Sequence, residues 1–184
     1  MTLERSGRPA RHVAPLLAAL AALTVAACQP AHSALDAQHI DADSIVLERS
    51  VCFGFCPAYR LTLTPNGAVH FITAARGDTV QRADTIAPRS VAWLAGEAHR
   101  AGFYSLPREI VRDKSLCPMP ATDHPTATVT IFRGDSTHSV VDYSGCYTGH
   151  DLTVAAPLIA MRRFENAIDS VAGSKRWLDL ARPR

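Results

Sequence analysis

Four cysteines in the body of the chain, Cys52, Cys56, Cys117 and Cys146, are the residues best suited to chemistry. Three uses compete for them. Cys52 and Cys56 could exchange with a substrate disulfide. Dithiol oxidoreductases, however, normally separate their cysteines by two residues at a helix N-terminus, where the dipole lowers the thiol pKa. Here Phe53, Gly54 and Phe55 intervene, and Gly54 and Pro57 break any regular element. All four thiols could instead hold zinc, but tetrahedral sites are usually built from two Cys-x-x-Cys knuckles. Cys52 and Cys56 make one loose knuckle at best, and Cys117 and Cys146 lie far apart in sequence. The remaining use is structural: an even cysteine count in an exported chain reads as a disulfide framework. Three connectivities are open, of which Cys52 with Cys56 and Cys117 with Cys146 is the favoured one. In the chain-entropy model the short loop contributes about 2 kcal/mol and the long one about 3.6 kcal/mol.

The other titratable residues form no convincing catalytic set. Of the eight histidines, no two fall at i, i+4 on one expected helix, and no His-Glu-x-x-His occurs. His70 and His138 are expected on the solvent faces of two hairpins, and no metal site is assigned. Asp123, His124 and Asp142 could join Ser144 in a hydrolytic triad, but no Gly-x-Ser-x-Gly places a serine on a strained elbow. An aspartate in a Thr-Asp-x-Pro loop more often caps its own turn. No catalytic residue and no cofactor is expected, and Asp142-Tyr143 reads as a conformational or ligand feature at a strand end. Phe53 and Phe55 alternate with two cysteines on a tight turn. Packing is the plainer reading of both, but an exposed aromatic on a rigid loop can be a contact site. Phe53, Gly54, Phe55, Tyr59, Asp123 and Asp142 are therefore the candidate contact set. Phe71, Trp93, Met161 and Phe164 are expected in the core.

The N-terminus sets the compartment. Arg5, Arg8, Arg11 and His12 precede an apolar run from Leu16 to Ala27, too short for the roughly 20 residues of a spanning helix but fit for an export signal. Val25-Ala26-Ala27-Cys28 resembles the lipobox of bacterial lipoproteins, which implies cleavage before Cys28, a diacylglyceryl thioether on its sulfur and an acylated amine. Single acyl chains anchor marginally and several anchor firmly. An aspartate after the lipidated cysteine favours inner-membrane retention, so Gln29 points to the outer membrane, facing the periplasm. The expected organisation is a signal peptide over 1–27, a lipidated cysteine and tether over 28–43, and a folded domain over 44–180. Cleavage removes three arginines and one glutamate from 19 basic and 17 acidic residues, leaving 16 of each. The formal +2 thus belongs to the signal, and a neutral mature domain gives no footprint for nucleic acid.

These residues must be positioned by regular elements. Ser44 to Ser50 is an expected strand. Ala58 to Thr64 alternates, with Tyr59, Leu61 and Leu63 on one face. Pro65-Asn66-Gly67 is a hairpin turn leading to Ala68–Thr73, with Val69 and Phe71 inward. Thr79 to Ile86 is a further strand. Pro88 opens a helix whose stripe is Val91, Leu94, Ala95, Ala98 and Ala101, and Gly102 stops it. Residues 103–125 are irregular and proline-rich. Thr126–Phe132 and Ser136–Tyr143 form a hairpin around Arg133-Gly134-Asp135. A second helix after Pro157 carries Leu158, Met161, Phe164, Ile168 and Val171 and ends at Gly173, after which Trp177 and Leu178 return to the core. Segregated strands and helices define a single α+β domain: a mostly antiparallel sheet, meander plus hairpin, packed by two helices and stapled by disulfides.

Cys52-Phe-Gly54-Phe-Cys56-Pro57-Ala-Tyr59, with the alternating strand and Asn66-Gly67 that follow, resembles the bacterial domain-of-unknown-function 6438 family. Gly102-Phe103, Thr122-Asp123-His124-Pro125-Thr126, Val141-Asp142-Tyr143 and Ala172-Gly173 before Trp177 extend the resemblance over roughly residues 44 to 178. It implies a secreted or lipid-anchored module with no known activity and supports pairing Cys52 with Cys56. The function expected is that of a non-enzymatic envelope lipoprotein, held to the membrane through Cys28 and serving as a binding or structural module, with an envelope protein or ligand as its partner. A redox role for Cys52/Cys56 and a metal-binding module are the alternatives.

Overall fold

In a computed structural model the described residues are 42–181, without 55, 76–77 and 150–152. Alternating apolar residues build the sheet. Strands β1 (Ser44–Arg49), β2 (Tyr59–Leu63), β3 (Ala68–Ala75) and β4 (Asp78–Thr85) form the expected meander. At its turn Gly67 has φ +87°, and a Cβ there would fall on the carbonyl oxygen of Ile86; an L side chain is excluded by both. Helix α1 (Pro88–Arg100) follows, with Val91, Leu94, Ala95 and Ala98 buried. Gly102 after it is left-handed, with φ +68°. Residues 103–125 contain two single 3₁₀ turns and the short strand β5 (Met119–Pro120). Strands β6 (Thr126–Arg133) and β7 (Ser136–Tyr143) make the second hairpin, and β8 (Cys146–Tyr147) pairs with β5. Helix α2 (Ala156–Ala172) ends at Gly173, and α3 (Ser174–Ala181) follows at once.

The sheet is antiparallel throughout, in the order β4-β3-β2-β1-β6-β7, so the hairpin extends the meander across β1. Its register aligns inward-facing residues into rows. Ile131, Ile45, Leu63 and Val69 form one row, and Val140, Val129, Leu47, Leu61 and Phe71 form the next. All are buried, and the helices cover them. Phe103 lies edge-on to Phe164 of α2 at 5.8 Å between centroids. Trp177 of α3 packs on Phe71 at 5.1 Å, as the sequence suggested, while Arg176 pairs with Asp84 and ties α3 to the edge strand.

Three details depart from the sequence reading. The segment around Trp177 is a third helix: Gly173 ends α2, but the next residues start a new helix and bury Ser174 against Asp169. Trp93 is 46% exposed on the outer face of α1, because the apolar stripe of Val91, Leu94, Ala95 and Ala98 turns away from it. His138 is only partly accessible. Its Nε2 lies 3.2 Å from the Phe103 carbonyl oxygen, and its ring packs edge-on to Phe103. His70 is exposed, as expected.

Candidate functional site

The third inward row breaks the apolar pattern. Two positions beyond Val140, Val129, Leu47, Leu61 and Phe71, the register places Asp142, Ala127, Arg49, Tyr59 and Thr73 side by side. They face the core layer yet are mostly polar. Opposite them α2 presents Arg162, Glu165 and Asp169, at spacings of three and four residues that fall on one helix face. Charged sheet row and charged helix stripe meet at the end of the sheet where β1 runs out into the disulfide loop. There all of them but Thr73 line a cavity of about 430 Å³ with Ser50, Cys56, Pro57, Pro125 and Leu178.

The charges are tied to one another. Arg49 Nε donates to Asp169 Oδ2 at 2.9 Å, and Arg49 Nη1 reaches Glu165 Oε2 at 3.4 Å. Asp169 Oδ1 also accepts from the Tyr59 and Ser174 hydroxyls, each at 2.6 Å. Arg162 Nε donates to Asp142 Oδ2 at 2.8 Å, and its Nη2 to the Tyr143 carbonyl at 3.2 Å. Glu165 is the odd member: it is 3% exposed, and its Oε1 has no hydrogen-bond partner. Burial, followed by the negative charge of Asp142, pushes its carboxyl up to about 8, against the pull of Arg49 and Arg162. Burial and the neighbouring Asp169 carboxylate likewise raise the Tyr59 phenol, keeping it a donor. Burial opposes the Arg49 charge, but Asp169, Tyr59 and Glu165 outweigh it and hold the guanidinium pKa above its ordinary value.

Two loops form the rim. Cys52 is bonded to Cys56 and Cys117 to Cys146, the favoured connectivity. The first bond clamps the 52–56 loop. The second is fully buried and joins the irregular segment to β8. The loops touch where the Phe53 amide donates to the Asp123 carbonyl at 3.4 Å. Asp123 is exposed and holds a left-handed φ of 67°, which aspartate tolerates better than most residues. Tyr143 fastens the second loop: its hydroxyl donates to the Ala121 carbonyl at 2.6 Å and accepts from the His124 amide at 3.1 Å. The Ser144 hydroxyl donates to the Pro125 carbonyl at 2.9 Å. Asp142, His124 and Ser144 thus build the wall separately: Asp142 holds Arg162, the His124 ring lies edge-on to Tyr143 and Tyr147, and Ser144 holds the loop.

Of the contact set, Tyr59 and Asp142 lie in the cavity, while Phe53, Gly54 and Asp123 stand on the two rim loops. Phe55 lies outside the described residues, as do Cys28 and the signal segment. Phe53 is 90% exposed and Val51 67%, so the packing expectation fails for Phe53. The disulfide ties the loop back on itself at the surface, where the neighbouring Val51, Gly54 and Pro57 are exposed as well and offer the ring no core to pack on. Arg49, Arg162, Glu165 and Asp169 went unread in sequence. Their signal was present: each continues an apolar stripe, at Ile45-Leu47-Arg49 on β1 and among Leu158, Met161, Phe164 and Ile168 on α2. Among the described residues no His, Cys, Asp and Glu side chains group as a metal site.

An antiparallel α+β domain with a charged cavity under a disulfide-clamped loop is the class of protein defined here. Residues 43–162, about two thirds of the chain, match the family described as Domain of unknown function (DUF6438), and the chain belongs to that family. The matched span contains both rim loops, Arg49, Tyr59, Asp142 and Arg162, and stops short of Glu165, Asp169 and Trp177. No curated protein matches the chain.

Proposed function

We propose that this is a lipid-anchored, non-enzymatic binding module of the bacterial envelope, tethered through Cys28 to the outer membrane and facing the periplasm. Its binding surface is the 51–57 loop and the cavity behind it. The observation that carries this reading is Phe53, 90% exposed on a disulfide-closed loop whose Cys56 and Pro57 line the cavity. A rigid exposed aromatic beside a pocket has the character of an interface anchor, because little conformational entropy is lost when it is covered. Two disulfides suit the oxidising periplasm, and the lipobox supplies the tether. The cavity charges, locked in pairs, favour recognition over turnover. A photo-crosslinking residue at Phe53, compared with one at exposed His70 on the opposite sheet face, tests the surface in living cells. Crosslinks to envelope protein from position 53 and not from 70 are expected; equal yields from both would overturn the assignment.

A thiol–disulfide role for Cys52 and Cys56 is the second reading. Both cysteines are partly accessible, and Cys56 lines the cavity.

A further inference from the structure

Within the cavity, the bookkeeping of charge and hydrogen bonds selects a ligand class. Both guanidiniums are already engaged, Arg49 by Asp169 and Glu165, Arg162 by Asp142 and the Tyr143 carbonyl. The Tyr59 hydroxyl is spent on Asp169. Three carboxyl groups therefore face two cations. Among the described residues, the fully buried side-chain atom of the cavity lining that has no hydrogen-bond partner is Glu165 Oε1. An unpaired buried polar atom is costly, more so when it is charged. Once Glu165 is ionised, what relieves this oxygen is a donor, best a cationic one, since charge-assisted hydrogen bonds are roughly twice as strong as neutral ones. The rest of the wall supplies apolar contact through Pro57, Pro125, Ala127 and Leu178.

We propose that the cavity binds the ammonium group of an amine-bearing ligand against Glu165, with the ligand's hydrocarbon portion packed on Pro57, Pro125, Ala127 and Leu178. This deepens the binding-module reading and rests on it. An anion would meet carboxylates and guanidiniums that are already occupied. A free amine, a lysine side chain or a peptide N-terminus presents the required chemistry.

The groups facing Glu165 are Arg49 from β1, Tyr59 from β2, Asp142 from β7, and Arg162 and Asp169 from α2 itself. Burial, helped by Asp142 and Asp169 and opposed by Arg49 and Arg162, leaves it protonated near neutrality. Ammonium binding must draw off that proton, so affinity should climb with pH. A lysine-like amine stays charged to about pH 10 and does not itself set the change. The probes are n-butylammonium, 1-butanol and butyrate, titrated into the full chain while the methyl resonances of Ala127 and Leu178 are followed. Butylammonium should bind most tightly, and its affinity should rise on the order of tenfold or more from pH 6 to pH 9. In Glu165→Gln that preference over butanol should disappear, with the melting temperature recorded as the check on folding. Preference for butyrate would overturn the ligand class and leave the cavity as a binding site. Equal binding of all three probes, or of butylammonium to both proteins, would overturn it too. No binding of any probe would also remove the cavity from the interface, while crosslinking at Phe53 decides the loop on its own.

Discussion

At the residue scale, Glu165 makes a prediction independent of any ligand. Its carboxyl ordinarily titrates near 4.5 and is raised to about 8 in the fold. Between these values the unfolded chain loses the proton and the folded chain keeps it. The folded state then binds more protons, so the contribution is complete below pH 4.5 and is lost as pH rises towards 8. Stability should therefore fall across that window. Glu165→Gln, which cannot ionise, should flatten the decline and be the more stable protein at pH 8, by about 2–4 kcal/mol. Denaturant melts at pH 5 and pH 8 check this; a Glu165→Gln protein with the wild-type slope would show that another group titrates. Little of this was legible in the sequence. Glu165 falls at stripe spacing from Met161 and Ile168, but its charge argues for the solvent side when the sequence is read alone. Only the sheet register, by placing Arg49 and Asp142 opposite, shows why it is inside. Phe53 presents the reverse case: an apolar residue is expected to pack, and loop closure alone keeps it outside.

At the scale of elements, the two disulfides do different work. Cys117 and Cys146 are fully buried and tie an irregular segment to β8, whereas Cys52 and Cys56 are partly accessible on a surface loop. Mild reductant should open Cys52–Cys56 first with little change in far-ultraviolet circular dichroism. Cys117–Cys146 should resist until the domain unfolds, and its loss should cost about 3.6 kcal/mol in the chain-entropy model. Thiol alkylation followed by peptide mass mapping would show the order; Cys117 modified before Cys52 would contradict it. If Cys52 and Cys56 then proved unusually reactive as thiols, the redox reading would gain. Most elements could be read in advance for a simple reason. Tyr59-Leu61-Leu63 has the two-residue period of a strand, Val91-Leu94-Ala95-Ala98 has a helical period, and Asn66-Gly67 names its own turn. The misses have causes as well. Strands β5 and β8 are two residues each, below any periodic signal, and α3 begins one residue after a glycine that also ends α2.

At the scale of the whole molecule, the fold explains the chain's short motifs without assigning them chemistry. Cys-x-Gly-x-Cys-Pro-x-Tyr carries the clamped loop and ends at Tyr59, which buttresses Asp169. Thr-Asp-His-Pro and Val-Asp-Tyr meet through the Tyr143 hydroxyl. Each motif lends one wall to the same cavity, and the proposed tether at Cys28 would turn that face to the periplasm. That proposal stands or falls on whether the chain is exported, lipidated at Cys28 and oxidised. The most direct measurement is the intact mass, with thiol counting, of the protein isolated from the membrane fraction of a bacterium producing the full chain. The predicted species begins at Cys28, carries the added mass of its acyl groups and has no free thiol, its four remaining cysteines being joined as Cys52–Cys56 and Cys117–Cys146. A soluble, unacylated chain that still begins at Met1 and retains free thiols would contradict it.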